Sequence, residues 1–319
     1  MNNFEFIAYK GKKKLPVQVP IPDLQGAPLV ETHAHLDMLE DPALALARAA
    51  HVGITTVLTL TDLSAQAELT YEMLDVWCEG AQMLLDARCA DSGAEASRLE
   101  VDGAHEASGQ GIANPVLPDT YIMVGVHPHN SRHYDSRIEK QLYKLAADPR
   151  TVAIGEAGLD YYYDHSPRDV QQKVFARKLE VARDLGLPVI IHLRDAHEDG
   201  LRILREVGVP EAGAVLHCYN REFSVAEPFL EIGCTLGFGG PVTFKNAHEV
   251  KEAATAVPAG SFVVETDCPF MAPQPFRGQK CEPAHTLWVA EEIARLRAVS
   301  LPDLARETSD TAKRIFNLP

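Results

Sequence analysis

The chain has 319 residues and a formal net charge of −15, because 45 aspartates and glutamates outnumber 30 lysines and arginines. Hydrophobic residues make up 46% of the chain and charged residues 24%, a composition that excludes a disordered tail, a collagen-like chain and a disulfide-stapled mini-domain. The acidic balance also argues against a protein that coats nucleic acid by bulk positive charge.

We find neither a targeting signal nor a closely spaced cysteine pair in the sequence. The basic N-terminal run is not followed by the apolar core of a signal peptide, and no window reaches the roughly 18 apolar residues of a membrane helix. The six cysteines contain no C-x-x-C pair, which favours reduced thiols over a zinc ribbon or a redox motif. We therefore expect a cytoplasmic protein with no membrane contact and no required protein partner.

Short β-branched, apolar segments alternate with helical segments along the chain. We predict strands at 29–33, 54–60, 121–126, 151–155, 188–191, 214–216, 234–236 and 261–264, with helices between them, and two helices near 284–298 and 303–316. Parallel strands need a helical crossover, so this alternation predicts a parallel sheet. Eight such units favour a single α/β domain of the (β/α)₈ TIM-barrel class over an open doubly wound sheet.

Two regions depart from this rhythm. Residues 1–28 precede the first predicted strand and form an N-terminal extension, so the barrel domain is expected over 29–319. Residues from about 86 to 119, before the third strand, are poor in large apolar side chains and too many for an ordinary barrel loop. We interpret them as a surface insertion, with a lid or an oligomer contact as the alternative.

Acidic and imidazole side chains follow the ends of several predicted strands. His33 and His35 are two residues apart at the end of the first strand and so point to the same face. The other four close later strands: Glu156, His192, His217 and Asp267. Because the carboxyl ends of barrel strands share one face, these six groups can hold two divalent cations with a bridging carboxylate. A structural role competes for any one of them, but poorly for all six together.

Three further residues are candidates for binding substrate. Arg194, two residues after His192, could bind a phosphate, with a rim salt bridge as the alternative. His127, at the end of the third strand, could hydrogen-bond the scissile phosphate or hold a structural turn. Arg277 lies in the loop after the last strand, where it contacts either substrate or solvent.

Together these motifs resemble those of a known family. They are the segments 31–37, 125–129, 155–162, 188–196, 217–219 and 265–269, in that order. The pattern is similar to that of the TatD family of metal-dependent deoxyribonucleases and hydrolases, a branch of the amidohydrolase superfamily. The resemblance runs from about Leu29 to Phe316, interrupted by the insertion. It departs from the family pattern at Asn220 and Arg221, where a Ser-Gly pair is common, which bears on substrate choice.

The resemblance implies a role for each candidate ligand. His33, His35 and Asp267 would bind a first metal, Glu156 would bridge, and His192 and His217 would complete a second site. Asp267 would also orient or deprotonate the attacking water, so Glu156 and Asp267 are the expected catalytic residues. The implied cofactors are two divalent metal ions: Mg²⁺, Mn²⁺ or Zn²⁺.

The implied reaction is hydrolysis of phosphodiester bonds, as in a 3′–5′ exodeoxyribonuclease that trims DNA. Since the acidic surface should repel long duplexes, the expected substrates are nucleic-acid ends or short single strands. One alternative is an amidohydrolase cleaving an ester or amide, such as a deacylase. Those relatives often bridge their metals with a carbamylated lysine where Glu156 stands here. The other alternative is a non-catalytic metal-binding barrel.

Overall fold

The computed structural model describes residues 3–10, 14–65, 67–99, 111–112 and 114–319, with only the backbone over 91–99. The strands are β1 (Ile7–Lys10), β2 (Leu15–Gln18), β3 (Leu29–Ala34), β4 (Ile54–Asp62), β5 (Asp119–Gly125), β6 (Thr151–Asp160), β7 (Val189–Arg194), β8 (Ala214–Leu216), β9 (Cys234–Phe238) and β10 (Phe262–Val264). The helices are α1 (Pro42–Val52), α2 (Ala67–Leu99), α3 (Ser136–Ala146), α4 (Arg168–Leu185), α5 (His197–Val207), α6 (Phe223–Glu231), α7 (His248–Ala256), α8 (Thr286–Arg297) and α9 (Leu301–Phe316).

Strands β3 to β10 form one parallel sheet in chain order, which confirms the predicted barrel class. The sheet closes through the residues that follow β10. The Asp267 N–H donates to the His33 carbonyl (2.9 Å), and the His35 N–H donates to the Cys268 carbonyl (2.9 Å). These bonds lie at the carboxyl end of the barrel. They also bring Asp267 beside His33 and His35.

The amino end of the barrel interior is filled with apolar side chains. The buried cluster there includes Val30, Leu58, Met123, Ile190 and Val263, with Ile315 and Phe316 of α9 packed against it. A second apolar cluster lies between the strands and the surrounding helices. Because the amino half is apolar, polar chemistry in the barrel is confined to the carboxyl end, as is usual for this fold.

Two predicted boundaries are wrong. β6 continues through Asp160, so Glu156 lies in the middle of this strand instead of at its end. α2 runs to Leu99, so the insertion proposed from about residue 86 begins within a helix. The alanines and the long Leu, Met, Arg, Glu and Gln side chains of that stretch favour a helix. The rest of the insertion falls mostly outside the described residues, at 100–110 and 113. None of the described helices is long and apolar enough to span a membrane.

The N-terminal extension packs onto the barrel. β1 and β2 pair as an antiparallel hairpin, and the Val19 N–H donates to the Phe6 carbonyl (2.7 Å). The Phe6 ring is buried, with its centroid 4.9 Å from that of Trp288 on α8 and 6.1 Å from that of Phe276. The Arg48 guanidinium covers the ring at 4.1 Å. The extension therefore supports the long segment that follows β10, which contains Phe276.

Candidate metal centre

Glu156 lies at the middle of a cluster of histidines, and each of its carboxylate oxygens faces a different group. Oε1 lies 3.4 Å from His33 Nε2 and 3.5 Å from His35 Nε2. Asp267 Oδ1 completes this first group, 3.4 Å from His35 Nε2 and 3.8 Å from His33 Nε2. Ligand atoms bound tetrahedrally at about 2.1 Å are roughly 3.4 Å apart. The atoms of His33, His35 and Glu156 are therefore close enough together to hold one divalent cation, and Asp267 lies beside the two histidines.

The second group surrounds Glu156 Oε2. That oxygen lies 3.1 Å from His192 Nδ1, 3.2 Å from His217 Nε2 and 3.4 Å from His127 Nε2. The His192 and His217 nitrogens are themselves 3.0 Å apart. The structure thus brings all six predicted ligand residues close together. Among the described residues, the groups at metal-ligand spacing are His33–His35–Glu156, His127–Glu156–His192 and His33–His217–Glu265, so the division into two metal sites stays a prediction.

The protonation of His192 shows why this second group suits a cation. Its Nε2 faces Asp160 Oδ2 (3.3 Å), and an ionised carboxylate can only accept, so the ring proton belongs on Nε2. Nδ1 then faces His217 Nε2 and Glu156 Oε2. Although burial opposes it, hydrogen bonds to Asp160 and Glu156 raise the pKa of His192 to about 9, so a second proton lies on Nδ1 where a cation would otherwise bind.

His127 has the opposite arrangement. Its Nδ1 accepts a hydrogen bond from the His129 N–H (3.1 Å), so in the neutral ring the proton lies on Nε2. Nε2 points into the centre, toward Glu156. The His127 N–H also donates to Asp62 Oδ2 (2.9 Å), which fixes the turn after β5. The neutral ring of His127 therefore presents a hydrogen-bond donor to the centre.

Several buried atoms of the centre lack hydrogen-bond partners within the described part of the chain. They include both ring nitrogens of His33 and Oε2 of Glu156. Leaving such atoms unsatisfied costs free energy, which metal coordination would recover. Histidine and carboxylate donors suit Zn²⁺, Mn²⁺ or iron. The residues present therefore fit a divalent-metal centre.

The electrostatics keep the carboxylates ionised and His33 neutral. Burial alone would raise the pKa of Glu156, but the nearby imidazoles of His217, His127 and His192 hold it well below its ordinary value. Burial likewise opposes ionisation of Asp267, yet a hydrogen bond from His35 and the nearby histidines lower its pKa. Burial and the adjacent His217 lower the pKa of His33 to about 4. Although burial opposes it, the neighbouring carboxylates raise the pKa of His35 and of His192 to about 9, so a cation would have to displace a proton from each of these rings.

Two buried polar side chains that the sequence analysis missed hold the ligand-bearing strands. Glu31 accepts hydrogen bonds from the His33 N–H (2.8 Å) and the Thr266 N–H (3.1 Å). It therefore connects His33 to the residue that precedes Asp267. Lys178 on α4 is fully buried and donates from Nζ to the carbonyls of Val126 and Glu156, the latter at 2.8 Å. Burial lowers the pKa of Lys178 to about 7. Its position four residues after Val174, on the apolar face of the helix, was the available sequence signal.

Asp160 is a third missed residue, and it positions His192. Its Oδ2 contacts His192 Nε2 and His129 Nε2 (2.9 Å), while Oδ1 accepts the N–H groups of Tyr162 and Tyr163. Asp160 follows Glu156 by four residues on the same face of β6, a period-2 signal present in the sequence. Carboxylates behind metal-binding histidines fix the ring and its tautomer.

We expect Asp160→Asn to weaken metal binding by about 10- to 100-fold, because the amide cannot hold the His192 ring in the same tautomer as firmly. Asn retains an oxygen for the two backbone N–H groups, so the loop should stay folded. Titration with Mn²⁺ monitored by calorimetry measures the affinity. Asp164→Asn, an exposed carboxylate paired with Arg168, is the matched control. Equal affinities in the two variants would show that Asp160 does not position the ligand.

The remaining candidates lie at different distances from the centre. Arg194 lines a cavity beside it together with His192, His217 and Asp267. The Arg277 guanidinium instead lies 4.2 Å over the ring of Phe244 and does not line that cavity. Of the two predicted arginines, the structure therefore brings only Arg194 beside the centre.

The fold and the side chains define a class of protein: a TIM barrel with a cluster of histidines and carboxylates at the carboxyl end of its strands that could hold metal. The family described as TatD related DNase matches residues 30–317. The chain belongs to the TatD family of metal-dependent hydrolases.

Individual relatives agree with this assignment. The metal-dependent hydrolase YabD of Bacillus subtilis is 41% identical over 198 residues, which cover 62% of this chain and 78% of YabD. The human 3′–5′ RNA nuclease TATDN2 is 34% identical over 61% of this chain and 26% of its own length. Among solved structures, the TatD homolog YJJV of Escherichia coli superposes with a TM-score of 0.71 at 24% identity, over 91% of this chain and 98% of YJJV. The structural likeness supports the fold.

Proposed function

We propose that this protein is a two-metal phosphodiesterase that removes nucleotides from the ends of single-stranded nucleic acid, with 3′–5′ trimming of DNA as the expected direction. The observation that carries the proposal is the division of Glu156 between two sets of ligand atoms. A shared carboxylate with its oxygens toward separate sets is the arrangement that holds two cations close together. When bound, such cations lower the pKa of water and stabilise charge on a phosphoryl group.

Each side chain of the centre has a proposed role. His33, His35 and Asp267 would hold one cation, His192 and His217 would hold the other, and Glu156 would be common to both. The Asp267 carboxylate accepts the proton of the attacking water, because it is ionised and lies beside the first set. His127 donates from Nε2 to a non-bridging phosphate oxygen, as its tautomer allows. Arg194 binds the substrate strand beside the scissile bond.

An ester- or amide-cleaving activity is the second candidate, since barrels of this superfamily perform both reactions. The structure gives one observation against it. The buried lysine near the centre, Lys178, uses its Nζ on two backbone carbonyls and does not face the ligand atoms. Glu156 therefore remains the proposed bridging group, which supports the phosphodiesterase proposal.

The compartment is also a proposal. All six cysteines are unpaired in the structure, including the buried Cys234, Cys268 and Cys281. Unpaired cysteines favour a reducing compartment, so we propose that the protein acts in the cytoplasm.

An end-labelled oligonucleotide assay tests the function. Single-stranded and duplex DNA and single-stranded RNA, labelled at either end, are incubated with Mg²⁺, Mn²⁺, Zn²⁺ or EDTA. We expect metal-dependent release of nucleotides from the 3′ end, faster on single strands than on duplexes. RNA is included because TATDN2 is named an RNA nuclease. Release from no nucleic acid, together with metal-dependent turnover of an ester or amide panel, would overturn the proposal in favour of the second candidate.

A further inference from the structure

A cavity of about 310 Å³ opens beside the metal centre, between the loops that follow β7, β8 and β10. Its inner wall consists of centre residues, namely His192, His217 and Asp267. Its outer wall contains Arg194, Asn220 and Arg221, with Tyr162 at one side. This volume is at the small end for ligand pockets and suits about one nucleotide, not a duplex.

Arg194 is held over aromatic rings and not by an acid. Its guanidinium lies 4.1 Å from the centroid of the Tyr162 ring and 4.7 Å from that of Tyr163. No ion pair involves Arg194 within the described ranges, so the predicted alternative of a rim salt bridge is not found there. Stacking leaves the in-plane N–H groups of an arginine free to bind an anion.

Arg221 also has unused donors. Its Nε lies 3.5 Å from the Glu222 carboxylate but makes no hydrogen bond among the described residues, although that atom is buried. Asp195 is the one carboxylate lining the cavity outside the metal centre. Asp195 and Glu222 thus balance the charge of the two arginines, but Arg194 has no ion-pair partner among the described residues and Arg221 Nε is not hydrogen-bonded, so both guanidinium groups keep N–H donors for an anion.

We propose that this cavity is a second phosphate subsite, in which Arg194 and Arg221 bind the phosphate next to the scissile one while the intervening nucleoside lies against Tyr162. The inference rests on the proposed function, since it assumes that a phosphodiester occupies the metal centre. A bidentate guanidinium–phosphate contact is charge-assisted and geometrically specific. The second phosphate is either a terminal monoester or an internal diester of a longer strand.

Four thymidine substrates separate these sources: the dinucleotide with no terminal phosphate, its 5′-phosphorylated form, its 3′-phosphorylated form, and the trinucleotide. We expect kcat/KM at least roughly tenfold higher for one phosphorylated dinucleotide, or for the trinucleotide, than for the bare dinucleotide. A gain from a terminal phosphate indicates a monoester; a gain only with the trinucleotide indicates an internal diester. Either gain supports the subsite.

Arg221→Gln and Arg194→Gln should reduce this preference toward one, and Arg221→Lys should restore part of it. Arg202→Gln is the matched control, because Arg202 pairs with Asp199 and Glu206 on the exposed face of α5. Calorimetry with Mn²⁺ present compares thymidine 3′,5′-bisphosphate with thymidine 5′-monophosphate and gives a readout independent of turnover. We expect the bisphosphate to bind at least about tenfold more tightly to the wild type, but not to Arg221→Gln.

Two failures are distinguishable. If no dinucleotide is hydrolysed with any of the metals, and bis(p-nitrophenyl) phosphate is not hydrolysed either, the proposed function is wrong. If the bare dinucleotide is hydrolysed as efficiently as the others and the bisphosphate shows no preference, the function stands and the second subsite is wrong.

Discussion

Glu156→Gln should lose at least about 10³-fold in metal-dependent phosphodiester hydrolysis and should no longer retain two equivalents of metal. The amide keeps the shape of the side chain but removes the charge shared by both ligand sets, and it turns an NH₂ group toward one of them. A loss of this size corresponds to about 4 kcal/mol of transition-state stabilisation, which is reasonable when both cations are affected. Initial rates on a labelled oligonucleotide and metal content by mass spectrometry measure the two effects.

The matched control is Glu180→Gln, the same substitution at a carboxylate on α4 that pairs with Arg177 at the surface. It should behave as the wild type in both measurements. Circular dichroism checks that Glu156→Gln is folded, as expected when a buried charge is replaced by an amide of equal size. A folded variant that keeps two metals and the wild-type rate would contradict the shared-carboxylate arrangement.

The largest effect on stability is expected at the N-terminal hairpin. Phe6→Ala should lower the free energy of unfolding by about 3–5 kcal/mol, because it empties a buried site among Trp288, Phe276 and the Arg48 guanidinium. Urea denaturation with metals chelated measures this difference without a contribution from bound ions.

Tyr9→Ala provides the comparison for Phe6→Ala, since it removes an aromatic ring from the same strand. Tyr9 is 50% exposed, so its loss should change the free energy of unfolding by no more than about 0.5 kcal/mol. If the two variants unfold at the same urea concentration, the hairpin is a loosely attached segment and does not support the chain after β10.

The alternation of strands and helices predicted the barrel, and the polar residues at predicted strand ends gave the candidates that the structure brings together. His33 and His35 could be paired because side chains two apart in a strand share a face. His192, His217 and Asp267 could be added because each follows an apolar strand whose end lies on one known face of the barrel. Those rules depend on local periodicity and on the handedness of the fold, and both are readable in a sequence.

The supporting residues could not be found in the same way. Glu31 lies in an apolar strand and Lys178 on the buried face of α4, and nothing in the neighbouring sequence tells which buried backbone groups they will reach. The tautomers of His127 and His192 depend on His129 and Asp160, whose contacts come from tertiary packing. The burial of Phe6 depends on α8, which is more than 270 residues further along the chain. Each of these features is decided by distant chain segments that the local pattern does not encode.

The first and last strands of the barrel meet at the candidate metal centre. The hydrogen bonds from Asp267 to His33 and from His35 to Cys268 join the last strand to the first, and three of those four residues are proposed ligands. A cation held by His33, His35 and Asp267 would cross-link the two ends of the sheet. The free energy of ion binding would then be coupled to closure of the barrel, so a bound ion would stabilise the folded state as well as take part in the reaction.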